Sequence, residues 1–218
     1  VAEPGPGLAP ALALFGPDDV LLAAGGAVLQ TAPLAAAGRY RVEVSGAGGS
    51  TGDYELRWIL NAARELEESG GAANGTVATA ENLADSFLPL IGRADRGAVL
   101  GRCASGADED WYRFELRAGT VATLAVLGVG VGAQTGVELR DGAGALLAAG
   151  TGDVLNVDRR IADFAVPGNG TYHARVTGTG DYSLVIVRGG PFGLEPNGEP
   201  EAPPRPAASG ILLEFLGA

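Results

Sequence analysis

The sequence predicts an all-β protein: two tandem antiparallel β-sandwich modules, jelly-roll or immunoglobulin-like, the first lacking its opening strands. Three observations lead there. Short apolar runs alternate with polar residues at the period-two spacing of half-buried strands. The 218 residues include 36 Gly and 13 Pro, so turns punctuate those runs at short intervals. And one phrase is written twice, GRYRVEVSGAGGSTGDYEL over Gly38–Leu56 and GTYHARVTGTGDYSL over Gly170–Leu184. Hydrophobic residues make up 46% of the chain, enough for a sizeable core, and no apolar run reaches the roughly 18 residues of a membrane-spanning helix.

The repeat sets the order of elements. Tyr40 matches Tyr172, Gly46 matches Gly178, and Asp53-Tyr54 matches Asp181-Tyr182; upstream, LLAAG at Leu21–Gly25 recurs at Leu146–Gly150. Landmarks kept in one order mark a duplication. RYRVEV alternates polar and apolar residues as a strand does. The Gly-x-Gly-Asp-Tyr that follows predicts a tight turn, and YELRWIL and YSLVIV predict return strands, giving an antiparallel hairpin in each copy. RDGAG, between GVEL and ALLAA, predicts another hairpin. In the second copy the predicted strands are Ala98–Arg102, Trp111–Arg117, Val121–Leu127, Gly136–Arg140, Ala145–Ala148, Arg160–Ala165, Thr171–Thr177 and Tyr182–Arg188. The first copy begins at LALF and has nothing corresponding to AVLGR or DWYRFEL, so it is expected to expose an apolar groove and unpaired strand edges. The expected divisions are an incomplete module over 1–63, a linker over 64–80, a complete module over 81–190, a Pro-rich linker over 191–210 and an apolar strand over 211–218.

The formal charge of -11 argues against binding to nucleic acid or to an anionic membrane surface. The chain has no Met, as expected of a processed form or of an excerpt from a longer polypeptide. Its one cysteine, Cys103, reads as a small buried apolar residue. His173 falls on the face of its strand opposite Tyr172, Ala174 and Val176, predicted to be the solvent face. With no nucleophile elbow, phosphate-binding loop or Cys/His cluster, the sequence predicts a non-enzymatic protein. The triplets Asn74-Gly75-Thr76 and Asn169-Gly170-Thr171 make Asn74 and Asn169 candidate glycan acceptors. Trp58 and Trp111 are expected to anchor the two cores. Trp111 alternates with Arg113, opposite Tyr112, Phe114 and Leu116, and the sequence leaves open which of these faces points outward.

ADEDWYRFELRAGT, VELRDGAGALLA and IADFAVPGNGTYHARVTGTGDYSLVI together resemble the bacterial pre-peptidase C-terminal domain, a β-sandwich found in tandem in secreted and surface proteins. The resemblance covers Ala73–Arg188 and, in the first copy, only the later half of the domain. It implies an extracellular location, no chemistry of the domain's own, and a role as spacer or as adhesion or matrix-binding module. It also implies a calcium site held by linker acids and by aspartates before the Trp-Tyr pair. Carried onto this chain, those ligands are Asp108, Asp110 and Asn74, an oxygen-only set suited to a hard cation. The linker reads Ala72-Ala73-Asn74-Gly75 where the family tends to be acidic, with Glu67 and Glu68 upstream as substitutes.

The tail completes the reading. After the Pro-rich EPEAPPRPAAS comes GILLEFLGA, in which Ile211, Leu212, Leu213, Phe215 and Leu216 form an apolar strand with no partner in its own sequence. The expected function is a structural subunit of an extracellular filament or surface array, its partner itself, assembled head to tail by donation of this strand into the incomplete first sandwich. The alternative is an adhesion module for matrix protein or polysaccharide, excerpted from a longer tandem array. Folding of the tail back onto its own first module is a third arrangement.

Overall fold

A computed structural model describes residues 1–34, 36–90, 94–152, 157–190, 192–193 and 213–214. The protein is all-β among these residues, its helical content confined to single 3-10 turns such as Ala47–Gly49 and Glu67–Ser69. The strands in chain order are β1 (Ala2–Pro4), β2 (Pro10–Phe15), β3 (Leu21–Gly25), β4 (Arg41–Gly46), β5 (Tyr54–Leu56), β6 (Ala63–Arg64), β7 (Glu81–Asn82), β8 (Leu88–Pro89), β9 (Asp95–Cys103), β10 (Glu109–Leu116), β11 (Val121–Arg140), β12 (Leu146–Ala149), β13 (Arg159–Ala165), β14 (Gly170–Arg188), β15 (Phe192–Gly193) and β16 (Leu213–Glu214).

From β6 to β14 the chain builds one curled sheet of nine strands around a main apolar core, with a small second cluster of Ala98, Val185 and Val187. Two long strands, β11 and β14, run antiparallel along its whole length. The first half of β14 also pairs with β10, and its second half pairs with β9. The alternation read in the sequence holds: Tyr112, Phe114 and Leu116 from β10, Leu124 and Val126 from β11, and Ala174, Val176, Leu184 and Ile186 from β14 are all buried in the core. Curling lets one sheet supply both walls of the core, the corner being turned by strands that bend from one wall into the other.

That corner corrects the sequence reading. Gly-Thr-Gly-Asp-Tyr was predicted to reverse the chain, but Thr171–Thr177 and Tyr182–Arg188 are halves of one bent strand. Likewise Val121–Leu127 and Gly136–Arg140 are one strand, with a bulge in register between Val129 and Gln134. Gly178 sits at φ 137 with Gln134 backbone so close that a Cβ would meet its carbonyl oxygen at 1.8 Å. The glycines therefore bend the strand against its neighbour instead of turning it around. In the first copy the same phrase also fails to make a hairpin: β4 pairs with β2, and β5 pairs with β1.

The N-terminal strands repeat the later ones at the level of hydrogen-bond register. In β2–β3, Leu14 lies opposite Ala23 and Phe15 opposite Leu21, with a shift between Leu14 and Phe15. In β11–β12, Leu139 lies opposite Ala148 and Arg140 opposite Leu146, with the shift at the same place. Leu12–Val44 and Leu14–Val42 of β2–β4 reproduce Val137–Val176 and Leu139–Ala174 of β11–β14. Ala2–Leu56 of β1–β5 reproduces Val126–Leu184. The RDGAG hairpin is present, its turn held by the Asp141 carboxylate, which accepts the N–H of Ala143 at 2.9 Å and of Ala145 at 2.8 Å.

The stretch 64–80, expected as a linker, packs on the C-terminal unit. β6 adds in parallel to β9, and Glu65 behind it is buried. Of the predicted donor strand only Leu213 and Glu214 are described; they pair in parallel with Phe192 and Gly193. Ile211, Leu212, Phe215 and Leu216 lie outside the described residues.

Candidate functional site

Two places concentrate features that a closed sandwich would not leave. The first is the open side of the N-terminal unit. β4 pairs with β2 on one side and β5 with β1; among the described residues no strand pairs with the other edge of either. In the C-terminal unit the corresponding edges of β14 are taken by β10 and β9. Beside them lies a groove of about 740 Å³ lined by Leu12, Leu14, Tyr40, Val42, Leu56 and Trp58, and closed on the far side by residues including Leu66 and Leu88. Gln30 bridges the two sides: its amide donates to the Arg64 carbonyl at 2.9 Å and its carbonyl oxygen accepts the Arg64 N–H at 2.9 Å.

Trp58 corrects a second expectation. It is 60% exposed and lines the groove, whereas Trp111 is 7% exposed. A side chain can anchor a core only where a second wall covers it, and among the described residues no strand covers Trp58. Trp111 lies on the face of β10 opposite the core and is covered there by charge. Its indole N–H donates to Glu109 at 3.2 Å, and the guanidinium carbons of Arg140 and Arg175 stand 5.4 Å and 5.9 Å from its ring centroid. His173, predicted to face solvent, is buried beneath this layer, with Nδ1 2.9 Å from the Asp141 carbonyl oxygen and its ring edge-on to Trp111. Arg175 bonds both Glu109 and Glu138, which holds those carboxyls below their ordinary range.

The second place is a buried acidic cluster at the mouth of β9 and β10. Asp110 and Asn74, two of the three expected cation ligands, meet there, together with Glu65 and Glu68. Asn74 donates its amide N–H to Glu65 at 2.9 Å, and the second Glu65 oxygen accepts the Arg102 N–H at 2.7 Å. Tyr112 donates to the Tyr182 hydroxyl at 2.5 Å, Tyr182 donates to Asp110 at 2.7 Å, and the Cys103 thiol donates to the same oxygen at 3.3 Å. Gly101 permits this approach: a Cβ there would stand 2.4 Å from the Tyr182 ring and 2.9 Å from Glu65.

Among the described residues no basic side chain bonds these carboxyls, and burial dominates their proton affinity. It pushes Glu65 up to about 8, helped by the neighbouring Asp110, and Glu68 up to about 7, helped by Glu65. Burial also raises Asp110 and drives the Cys103 thiol far above its ordinary range. Three buried acceptors, Glu68 Oε2, Asn74 Oδ1 and Asp110 Oδ1, have no hydrogen-bond partner. Each could be satisfied by a shared proton or by a hard cation. Among the described residues no three His, Cys, Asp or Glu side chains are grouped as a metal ion requires.

Asp108 stands apart from this cluster. Its two oxygens accept the N–H groups of Ala104 at 2.7 Å and Glu109 at 3.0 Å, so it closes the turn between β9 and β10. Asn74 is also closed to a glycan, because its amide is buried and bonded to Glu65. Asn169 is exposed, its side-chain oxygen accepting the Ala118 N–H at 2.8 Å. Sequence reasoning missed Glu65 and the two tyrosines as members of the cluster. The signal for Glu65 was faint, one acid among several in ARELEES; the tyrosines read as ordinary core residues.

Neither a protein-family model nor any curated protein matches the chain. Among solved structures, PliG of Aeromonas hydrophila, a periplasmic inhibitor of g-type lysozyme, is similar to it at 16% identity, over 50% of this chain and 96% of that one, with a TM-score of 0.36. A likeness of that grade identifies neither fold nor activity. No helix among the described residues is long and apolar enough to cross a membrane.

Proposed function

We propose that the protein is an extracellular structural subunit of the pre-peptidase C-terminal type. It polymerises head to tail when the apolar strand at Ile211–Leu216 of one copy enters the open N-terminal unit of the next. One observation carries this reading. The pairings β1–β5, β2–β3 and β2–β4 keep the registers of their counterparts in the C-terminal unit, yet among the described residues no strand pairs with the edges that β9 and β10 occupy there, beside a largely apolar groove. An unpaired edge beside an apolar groove is an aggregation hazard unless a partner strand covers it. A donated strand covers both in one step, and because donor and acceptor are different surfaces the contact propagates as a filament. Deletion of Gly210–Ala218 tests it: sizing chromatography and negative-stain microscopy should then find single particles in place of threads. Threads persisting without those residues exclude the donor.

The buried acids favour a second reading, an adhesion module stiffened by calcium. Asn74, Asp110, Glu65 and Glu68 supply the oxygen donors, and their unpartnered atoms are the reason to look. Calcium at 100 times its dissociation constant should stabilise the fold by about 2.7 kcal/mol. Asp110→Asn should remove that response; a melting curve indifferent to calcium and to chelator excludes the site.

A further inference from the structure

The two units share their registers, so the complete one specifies how a strand must sit in the incomplete one. Five residues lining the groove, Leu12, Leu14, Tyr40, Val42 and Leu56, occupy the positions of Val137, Leu139, Tyr172, Ala174 and Leu184. All five of the latter belong to the closed core. What closes that core over the first half of β14 is β10, antiparallel to it, with Phe114 opposite Tyr172, Tyr112 opposite Ala174 and Arg113 opposite His173. In the N-terminal unit these partners become Tyr40, just before β4, and Val42 and Arg41 within it. The vacancy therefore asks for a strand reading apolar, polar, apolar, whose two apolar side chains enter the groove and whose middle residue faces outward beside Arg41.

Leu213-Glu214-Phe215 has this pattern, in the same chain direction as Tyr112-Arg113-Phe114. Resting on the assembly reading above, we infer that the tail of a second copy adds antiparallel to the open edge of β4 in the register of β10. Phe215 then lies opposite Tyr40, Glu214 opposite Arg41, Leu213 opposite Val42, Leu212 opposite Glu43 and Ile211 opposite Val44. In this register Glu214 joins Asp19 and Glu43 around the Arg41 guanidinium, which bonds both; a slip of two residues toward the end of β4 would set it directly opposite the carboxylate of Glu43. Ile211 falls at the position of Asp110, so an apolar residue fills the place that a buried carboxylate holds in the complete unit. Among the described residues Leu213 and Glu214 pair in parallel with Phe192 and Gly193, a pairing that donation would exchange for the edge of β4.

Paired cysteines read the register directly, with the buried Cys103 left in place. Polymer of Glu43→Cys/Leu212→Cys, oxidised and run on a non-reducing gel, should give a ladder of linked chains. The shifted pair Arg41→Cys/Leu212→Cys should give none. A charge exchange supplies a second readout: Arg41→Glu should slow elongation about tenfold, and adding Glu214→Arg should restore it. Threads that form normally while the first pair stays unlinked, or while the shifted pair links, overturn the register and leave the assembly reading standing. Links confined to single chains overturn the second copy as donor. If the unaltered chain forms no threads, the assembly reading fails and this inference fails with it.

Discussion

The two units of this chain carry the same strands in the same register and reach opposite outcomes. Tyr182 of the C-terminal unit is 1% exposed and links Tyr112 to Asp110 in a buried hydrogen-bond chain; its counterpart Tyr54 is 51% exposed. Leu184 is fully buried, whereas its counterpart Leu56 lines an open groove. The difference is not in the strands themselves. It lies in β9, β10 and β13, which cover edges of the C-terminal unit; among the described residues no strand pairs with the matching edges of the N-terminal one. Burial is a property of two walls, and a strand of suitable sequence with one wall remains a surface.

Substitutions at matched positions can break this comparison, and the largest effect is expected at the tryptophans. Trp111→Ala should destabilise the protein by about 3–5 kcal/mol, while Trp58→Ala should stay within about 0.5 kcal/mol in the unassembled chain. Equal losses by chemical denaturation would mean that the N-terminal unit is closed in solution. Leucines give a smaller contrast. Leu184→Ala should cost about 2–5 kcal/mol and Leu56→Ala less than about 1 kcal/mol, the latter rising once subunits assemble. Hydrogen exchange should report the same asymmetry without mutation: amides of β14 protected on both edges, amides of β4 protected on one edge only until a strand is added.

The remaining test is pH dependence. Glu65 and Glu68 stand at about 8 and about 7, above their ordinary 4.5, so the folded chain retains protons that the unfolded chain has released between those values. Stability should therefore fall as pH rises from about 5 to 8. Glu65→Gln, which keeps shape and removes the titration, should flatten this slope. A melting temperature that climbs over the same range in the unaltered protein would show that these carboxyls are ionised and paired, as a bound cation would make them.

Local signals were enough for the strands and for the repeat. Alternation in RYRVEV and TYHARV, and the carboxylate turn in RDGAG, depend on neighbours in sequence and read correctly. The Gly-x-Gly-Asp-Tyr phrase read wrongly because glycine permits both a reversal and a bend, and the choice belongs to Gln134 lying against Gly178. His173 read as exposed because alternation assigns a residue to a face and does not say what covers that face; here Trp111 and the arginines do. The buried acidic cluster was legible only in part. Asn74 and Asp110 lie in it, the oxygens of Asp108 accept N–H groups of their own turn, and Glu65 enters from a segment that reads as a linker.

By itself, then, the sequence determined the alternation within its strands and the repeated phrase, since each is written in residue order. Only the tertiary structure decided which side chains are covered, which edges stay open and which acids share a site. Those outcomes depend on segments remote in sequence meeting across a curled sheet, and no local preference encodes that meeting.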